Sequence, residues 1–264
     1  IVTIPDLGKD SFSKKLAITL GIKAAKNEHL VFTDADCYTL TNQWLLNISV
    51  SSNNNKMISL GAGPYEKNKG LLNALIRFDA VFIAIQYLGM AKAKFPYMGV
   101  GRNLSYKKTI YNQIQGFKSH YHIPSGDDDL FINQVADSKN TQVIFSAESL
   151  TFSIAENSFK NWVSQKARHL KTSPLYNVKT KILISLYPIS LFGFYLSFFI
   201  TLVLTNDLTF VLIILAFRTL FQIIIFFKPL KIMSSQELII FTPLLEIILL
   251  FIYPFLHIKK IQKP

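Results

Sequence analysis

The chain has 264 residues, of which half are hydrophobic and only 17% are charged, and this composition excludes intrinsic disorder. The single cysteine, Cys37, excludes a disulfide framework and a cysteine-based zinc site. Basic residues outnumber acidic ones by 28 to 16, an excess that fits nucleic acid, anionic lipid or a phosphorylated substrate.

The first predicted element is a helix over Ser13–Lys26, where Leu16, Ala17, Leu20 and Ala24 recur at helical spacing with lysines on the other face. The short apolar run that follows it, His29–Thr33, suits a buried strand of a parallel sheet. The soluble half is therefore predicted to be α/β.

An acidic pair, Asp34 and Asp36, follows this predicted strand. Ligands of parallel α/β sheets bind beyond the carboxyl ends of the strands. Two residues apart on an extended chain, both side chains would point to the same side. Paired carboxylates there suit Mg²⁺ or Mn²⁺ bridging a diphosphate. Two solvated acids in a loop remain the alternative, because the D-x-D pattern is common by chance.

Further elements follow in chain order. Gly70–Lys94 is predicted to be a longer helix with a mostly apolar face. Pro96–Arg102 is a turn-rich loop, Thr141–Ser146 is a second strand, and Ser158–Lys171 is a helix leading toward the apolar end of the chain.

Three adjacent carboxylates, Asp127, Asp128 and Asp129, are unusual in so basic a chain. Their mutual repulsion should raise the pKa of at least one, and a carboxylate with a raised pKa is a fitting general base. Gly126 before them and Leu130 after them indicate a loop that leads into a buried helix. The alternative is an acidic first helix turn favoured by the helix dipole.

Gln165, Arg168 and His169 share one helical surface through their i, i+3, i+4 spacing. This surface could clamp a phosphate or hold a substrate sugar. It could equally be a basic interfacial helix that contacts lipid head groups.

The C-terminal part differs sharply from the rest. Residues 1–181 carry 22 Lys/Arg and 13 Asp/Glu, whereas residues 182–264 carry 6 and 3. Ile182–Leu204 has no charge at all, and Leu208–Phe227 and Leu238–His257 are interrupted only by Arg218 and Glu246 respectively. Each run is about the 20 residues that a bilayer-spanning helix needs. We therefore predict an integral membrane protein with two or three spans.

Lysines flank the first two runs, while the linker Thr205–Asp207 has no basic residue. The positive-inside rule then places residues 1–181 in the cytoplasm, as expected for a plasma (inner) membrane protein. A third full span would put Lys259, Lys260 and Lys263 outside, against that rule. A broken or interfacial third segment is the alternative. Arg218 and Glu246 could pair inside the bundle or line a polar path, and pairing is the preferred interpretation.

Four segments occur in an order that resembles the membrane-bound family 2 glycosyltransferases, which include cellulose and hyaluronan synthases. The segments are SKKLAITLGIKAAKNEHLVFTDADC (13–37), MGVGRNLSYKK (98–108), GFKSHYHIPSGDDDLF (116–131) and QKARHLK (165–171). No single segment is specific, but the ordered set followed by membrane helices is. The resemblance implies a GT-A (Rossmann-like) domain over residues 1–171 and a membrane domain over 172–264.

The resemblance also implies roles for individual residues. Asp34 would contact the nucleotide and Asp36 would bind Mg²⁺ or Mn²⁺ on the diphosphate. Asp128 would be the catalytic base, with Asp127 as the alternative because the register is uncertain. The other implied substrate-binding residues are Lys15, Gly101, Asn103, Gln165, Arg168 and His169, the last replacing the family's usual Trp.

The implied activity is inverting transfer of a sugar from a nucleoside-diphosphate sugar to a lipid-linked or polysaccharide acceptor at the membrane. The family's first strand lies well upstream of its D-x-D, so we expect the chain to be an N-terminally incomplete, partial GT-A domain that could be inactive. A membrane transporter or export component, and a catalytically silent scaffold, are the alternatives. Nucleic acid is not an expected partner, because aromatic and basic residues form no clear stacking pattern in the soluble half.

Overall fold

The computed structural model describes residues 13–49, 56–204 and 208–261. Contacts within the chain group them into two compact units. The first unit holds the described residues of Ile1–Glu66 and Ile83–Ile154, and the second holds those of Lys67–Phe82 and Ala155–Pro264. The linker Thr205–Asp207 lies outside the described residues.

A mixed four-stranded sheet forms the centre of the first unit, in the order β1-β4-β3-β5. β4 is antiparallel to β1 and to β3, whereas β3 and β5 are parallel. A separate two-stranded sheet pairs β2 with β6. The strands are β1 (His29–Phe32), β2 (Tyr38–Thr39), β3 (Ile58–Leu60), β4 (Leu104–Lys107), β5 (Thr141–Val143) and β6 (Thr151–Phe152).

The prediction of a buried parallel strand over His29–Thr33 is wrong in two respects. β1 is antiparallel to β4, with Phe32 opposite Leu104, and it lies at the edge of the sheet. Within β1 only Leu30 is fully buried. A short apolar run does not distinguish an edge strand from a central one, because it shows which side chains are apolar but not which strands lie beside it. The second predicted strand, Thr141–Ser146, is confirmed as the shorter β5.

The helices predicted over Ser13–Lys26 and Gly70–Lys94 are confirmed as α1 and α3, with ends within two residues of those expected. The helices with residues in the first unit are α1 (Ser13–Ala24), α2 (Trp44–Ser49), α3 (Leu71–Lys92), α4 (Lys108–Gln113) and α5 (Asp129–Val135). The buried Tyr87 of α3 donates a hydrogen bond to the Gly61 carbonyl (2.5 Å), which attaches the second half of α3 to the end of β3.

The second unit is helical and confirms the three apolar runs of the sequence. Its helices are α6 (Phe159–Leu170), α7 (Val178–Leu204), α8 (Leu208–Ile232) and α9 (Thr242–Ile261), and a 3₁₀ segment, Gln236–Phe241, leads into α9. Among the described residues, α7, α8 and Gln236–Leu256 are each long and apolar enough to cross a membrane. Their apolar side chains are largely exposed, which is the surface expected of a membrane protein.

α3 is a fourth helix of that length and hydropathy within the described part of the chain. It differs from the others because 61% of its most apolar window is buried, against 6% for α7 and 17% for α8. Its Arg77 and Asp79 are buried and paired with groups of the second unit. α3 is therefore packed mainly against protein.

The expected pairing inside the helical bundle is confirmed. Arg218 of α8 forms an ion pair with Glu246 of α9, and the Tyr187 hydroxyl of α7 donates to the same carboxylate. Glu246 is 2% exposed. The Arg218 guanidinium also lies over the rings of Phe194 and Tyr195, at 5.3 and 5.1 Å from their centroids. Three helices thus share one compensated charge cluster, which keeps the carboxylate out of contact with lipid.

Candidate functional site

A cavity of about 80 Å³ lies in the first unit, where β1 ends and β4 begins. Acidic side chains that are far apart in the chain meet in it. The residues around the cavity are Lys14, Ile18, Phe32, Thr33, Asp34, Gly101, Leu104, Tyr106, Asp127 and Asp128. Phe32 and Tyr106 stack with their ring centroids 4.4 Å apart and form an aromatic wall beside the carboxylates.

Lys14 is the basic residue of this cavity. Its ammonium lies 3.0 Å from Asp127 Oδ2 and 3.4 Å from Asp34 Oδ1, so it links the two acidic segments. Burial alone would lower the pKa of Lys14, but the charges of Asp127 and Asp34 outweigh burial and raise it above the ordinary value. Lys14 therefore carries a fixed positive charge among three carboxylates.

Sequence reasoning named Lys15 for this role. Lys14 and Lys15 lie about 100° apart around a helix, so only one of them faces the cavity. Ile18, one turn after Lys14, lines the same cavity. The sequence does not show which face of α1 packs against the sheet. It therefore does not indicate which of the two lysines faces the cavity.

Lys15 instead is a buried support, 2% exposed. Its ammonium donates to the carbonyl oxygens of His120 (2.5 Å) and Ile123 (2.9 Å), in the loop that precedes the acidic residues. Burial lowers the pKa of Lys15, and burial followed by the Lys15 charge lowers the pKa of His120 to about 4. At neutral pH His120 is therefore uncharged, and Lys15 holds the loop through its backbone.

Asp127 is buried, with 9% of its surface exposed. Burial raises its pKa, the charge of Asp128 raises it further, and Lys14 opposes both effects. The raised pKa expected from the three adjacent acids is thus found at Asp127, although burial contributes more than like-charge repulsion.

Asp128 is the N-cap of α5 and is held in a fixed orientation. Its Oδ1 accepts from the Asp129 backbone N–H (2.8 Å) and its Oδ2 accepts from the Gly101 N–H (2.7 Å). A Cβ at Gly101 would lie 3.3 Å from that oxygen, so the close approach favours glycine. Gly126 has a φ of +95°, which starts the sharp turn into the acidic residues. The predicted loop leading into a buried helix is confirmed.

Asp34 and Asp36 do not share an extended backbone, and that prediction is wrong. The Cys37 N–H donates to the Asp34 carbonyl (3.0 Å), so residues 34–37 form a turn. Asp34 lines the cavity, whereas Asp36 is exposed and is not among the lining residues. The strand ends at Phe32, two residues before Asp34, and the turn separates the directions of the two side chains.

Across the described ranges 13–49, 56–204 and 208–261, no group of three or more His, Cys, Asp or Glu side chains is arranged to hold a metal ion. Mg²⁺ commonly needs only one or two carboxylates when substrate phosphates complete its shell. Within the part of the chain that the structure describes, the carboxylate of Asp36 is exposed and has one weak contact, 3.9 Å from Cys37 Sγ. The residues present thus fit a cation that arrives with a diphosphate.

Asn103 is fully buried and its carboxamide is used inside the protein. Its Nδ2 donates to the carbonyls of Ala62 and Ser149, both at 2.7 Å, and its Oδ1 accepts from Trp44 Nε1 at 3.1 Å. A Cβ on Gly61 would lie only 2.5 Å from this carboxamide. Asn103 therefore braces the segments around Gly101.

Gln165, Arg168 and His169 all lie on α6, the helix that the sequence predicted, but α6 belongs to the second unit and not to the unit that holds the sheet. Gln165 is half-buried, and Arg168 and His169 are exposed. The opposite face of α6 buries Trp162, Val163 and Lys166. Gln165, Arg168 and His169 thus form a polar surface on α6, and none of them lines the cavity.

No protein-family model matches the chain, and no curated protein matches its sequence significantly. The functional assignment therefore depends on the cavity and on the membrane helices.

Proposed function

We propose that the protein is a membrane-bound glycosyltransferase that moves a sugar from a nucleoside-diphosphate sugar to a lipid-linked or glycan acceptor, with inversion at the anomeric carbon. The observation that carries this proposal is the meeting of Asp34, Asp127, Asp128 and Lys14 around one cavity. Apolar helices in the same chain would hold the protein at the membrane, where a lipid-linked acceptor is found.

Asp128 has the geometry of a base. Each of its oxygens accepts one backbone N–H, and each carboxylate oxygen has two lone-pair sites, so each retains one for a further proton. The two bonds fix the orientation of the carboxylate, and orientation is the first requirement for proton abstraction. We assign to Asp128 the removal of the acceptor hydroxyl proton as that oxygen attacks the anomeric carbon.

Lys14 and Asp127 have a different part. The Lys14 ammonium places positive charge where a diphosphate leaving group would develop negative charge. Asp127 holds that ammonium in place. Asp36 is turned away from the cavity, so a Mg²⁺ or Mn²⁺ on it would supply additional positive charge to the leaving nucleoside diphosphate only where the diphosphate extends past Asp34 to that carboxylate. Asp34, at the end of β1, would contact the nucleotide.

The test uses the full-length protein in lipid with Mg²⁺ or Mn²⁺ and a panel of nucleoside-diphosphate sugars, and it measures nucleotide release and donor binding. Asp128→Asn should abolish transfer while leaving donor binding largely intact, because the amide keeps the shape of the carboxylate but loses its basicity. The amide keeps only one oxygen for the N–H groups of Gly101 and Asp129, so the Tm of the variant is measured beside its activity. Glu148→Gln is the matched control, since Glu148 is an exposed carboxylate of the same unit. Full activity in Asp128→Asn would exclude this base.

A second substitution separates the binding role from the base. Lys14→Met should weaken binding of the nucleoside-diphosphate sugar. The affinity for nucleoside diphosphate alone should fall by the same factor, because Lys14 is proposed to contact the diphosphate. If no donor binds and neither aspartate nor Lys14 variants change any property, the protein is a silent scaffold or a transporter. The transporter is disfavoured by the bundle itself, because both Glu246 oxygens are already engaged by Arg218 and Tyr187.

A further inference from the structure

α6 has a row of exposed basic side chains that the proposed function does not use. Lys160, Arg168 and Lys171 are all exposed. Together with the exposed Ser164 they recur at steps of four, four and three residues, and side chains at these steps lie on one face of a helix. Lys171 directly follows the last residue of α6 and keeps helical backbone angles, so it continues this face. We call Lys160, Arg168 and Lys171 the basic stripe.

The described residues do not neutralise the basic stripe. Their ion pairs include Lys166, which lies on the buried face of α6 and pairs with Asp79, but none of them includes a cation of the stripe. From Ala155 to Lys181 the chain has six Lys or Arg residues and a single acidic residue, Glu156. Such an excess of one charge attracts ligands of the opposite charge. The stripe therefore favours an anionic partner from outside the chain.

The basic stripe ends close to the point where the chain enters the membrane. α7 is long and apolar enough to cross a bilayer, and its uncharged run begins at Ile182. Lys181 therefore marks the boundary of the hydrocarbon. The Lys181 ammonium lies 3.4 Å from the Pro174 carbonyl oxygen, so the segment after α6 folds back to this boundary. Lys171 precedes Pro174 by three residues, about 11 Å at most along the chain, and so lies within reach of lipid head groups.

Exposed apolar side chains lie in the same connecting segment. Leu175 is 53% exposed and Val178 is 67% exposed. Apolar side chains beside exposed basic ones are typical of segments at the membrane interface, where acyl chains meet charged head groups. An acidic protein would match the charges of the stripe but would supply no acyl chains for the apolar side chains. The two observations together favour a lipid partner.

We propose that the basic stripe of α6 binds the phosphate groups of anionic lipids in the leaflet that α7 enters. Arg168 and Lys171, at the end of α6 next to the membrane boundary, make the principal contacts, and Lys160 extends the same basic face along the helix. Leu175 and Val178 insert between the acyl chains beside these head groups. This proposal does not depend on the transfer activity.

The stripe variant carries Lys160→Gln, Arg168→Gln and Lys171→Gln. All three side chains are exposed, so the Tm in neutral detergent should stay close to that of the wild type. Native mass spectrometry of the full chain in this detergent measures the Kd of added phosphatidylglycerol and of added phosphatidylcholine. The Kd for phosphatidylglycerol should rise at least about fivefold in the variant, which is the effect expected of one Lys or Arg near an anionic surface. The Kd for phosphatidylcholine, which has no net charge, should not change.

The matched control removes the same charge elsewhere in the chain. Lys92→Gln, Lys118→Gln and Lys139→Gln replace three exposed lysines of the first unit. This control should bind phosphatidylglycerol as the wild type does. An equal loss in the control would show that net charge alone attracts the lipid, and an unchanged Kd in the stripe variant would show that other cations bind it. Either result would overturn the proposal.

A second measurement locates the stripe relative to the head groups. A nitroxide is attached at Ser164→Cys, in a Cys37→Ser background, in bilayers that contain a Ni²⁺-chelating lipid. Ni²⁺ at the head groups should accelerate the relaxation of this nitroxide, whereas the same bilayers loaded with diamagnetic Zn²⁺ should not. Equal relaxation with the two ions would place the stripe away from the membrane and contradict the proposal.

Nucleoside diphosphate is another anion that a basic face can bind, so its affinity is measured on the stripe variant as well. The expected result is weaker binding of phosphatidylglycerol with an unchanged affinity for nucleoside diphosphate. If the affinity for nucleoside diphosphate falls while the Kd for phosphatidylglycerol stays the same, the stripe belongs to the donor site and the lipid proposal is wrong.

Discussion

A substitution of Asn103 distinguishes most clearly whether this residue stabilises the fold or binds a ligand. Asn103→Ala removes one acceptor from the Trp44 indole and two donors from the buried carbonyls of Ala62 and Ser149. A buried polar group left unpaired costs about 1–3 kcal/mol. Three such groups give a loss of about 3–9 kcal/mol in the free energy of unfolding. Each kcal/mol lowers the Tm of a chain this size by about 2–4 °C.

The assay is thermal unfolding in detergent at neutral pH, followed by intrinsic fluorescence. Asn42→Ala is the matched control, because Asn42 is exposed and accepts only from the side chain of its neighbour Gln43. The control should leave the Tm unchanged, and Asn103→Ala should lower it by roughly 10 °C. A Tm within 2 °C of the wild type would refute the bracing role. Weaker donor binding at an unchanged Tm would show that Asn103 contacts the donor instead.

Gly61 supplies a coupled check on the same geometry. Gly61→Ala places a methyl group 2.5 Å from the Asn103 carboxamide and should lower the Tm by itself. In the Asn103→Ala background the obstructing atoms are gone, so the added methyl group should cost less. Strictly additive losses would mean that the two residues do not touch.

Three further outcomes are expected. Lys15→Met should leave the carbonyls of the loop 120–123 without their donor, and hydrogen exchange there should accelerate more than in α1; unchanged exchange would contradict the support role. Asp127 has a raised pKa in the folded state, so protonation stabilises the fold below the ordinary Asp pKa and this contribution is lost as the pH rises through the folded value. Asp127→Asn should therefore have a Tm at or above that of the wild type at pH 7, and the difference should shrink toward pH 4. A Tm clearly below that of the wild type at pH 7 would be evidence against a raised pKa of Asp127. Arg218→Leu and Glu246→Leu should each lower the Tm more than the double variant does, since each single change leaves a buried charge unpaired; equal or larger loss in the double variant would refute the pairing.

Much of the fold could be predicted from local pattern. Helical spacing located α1 and α3, and uncharged length located α7 and α8, because each signal extends over many residues. The direction of β1 could not be predicted in this way. A short apolar run is compatible with a parallel or an antiparallel neighbour. Its partner, β4, follows the predicted loop Pro96–Arg102, in a segment for which the sequence predicts no strand.

The candidate site was also predicted only in part. Asp127 and Asp128 were singled out by their charge, and the structure places both in the cavity with Asp34. The turn that moves Asp36 away depends on one backbone hydrogen bond, from Cys37, which no composition rule foretells. The choice of Lys14 over Lys15 depends on how α1 packs, and packing is a tertiary property.

α3 has a practical consequence for anyone who wishes to isolate the acidic cavity. Residues 67–82 of the chain pack with the apolar helices, and 83–92 pack around the sheet. A protein cut after Ile154 would keep Arg77 and Asp79 but lose Glu237, Lys166 and Tyr253, stranding two charges that now have partners. Such a fragment should precipitate, so ligand-binding measurements on this cavity will require detergent or bilayer from the first purification step.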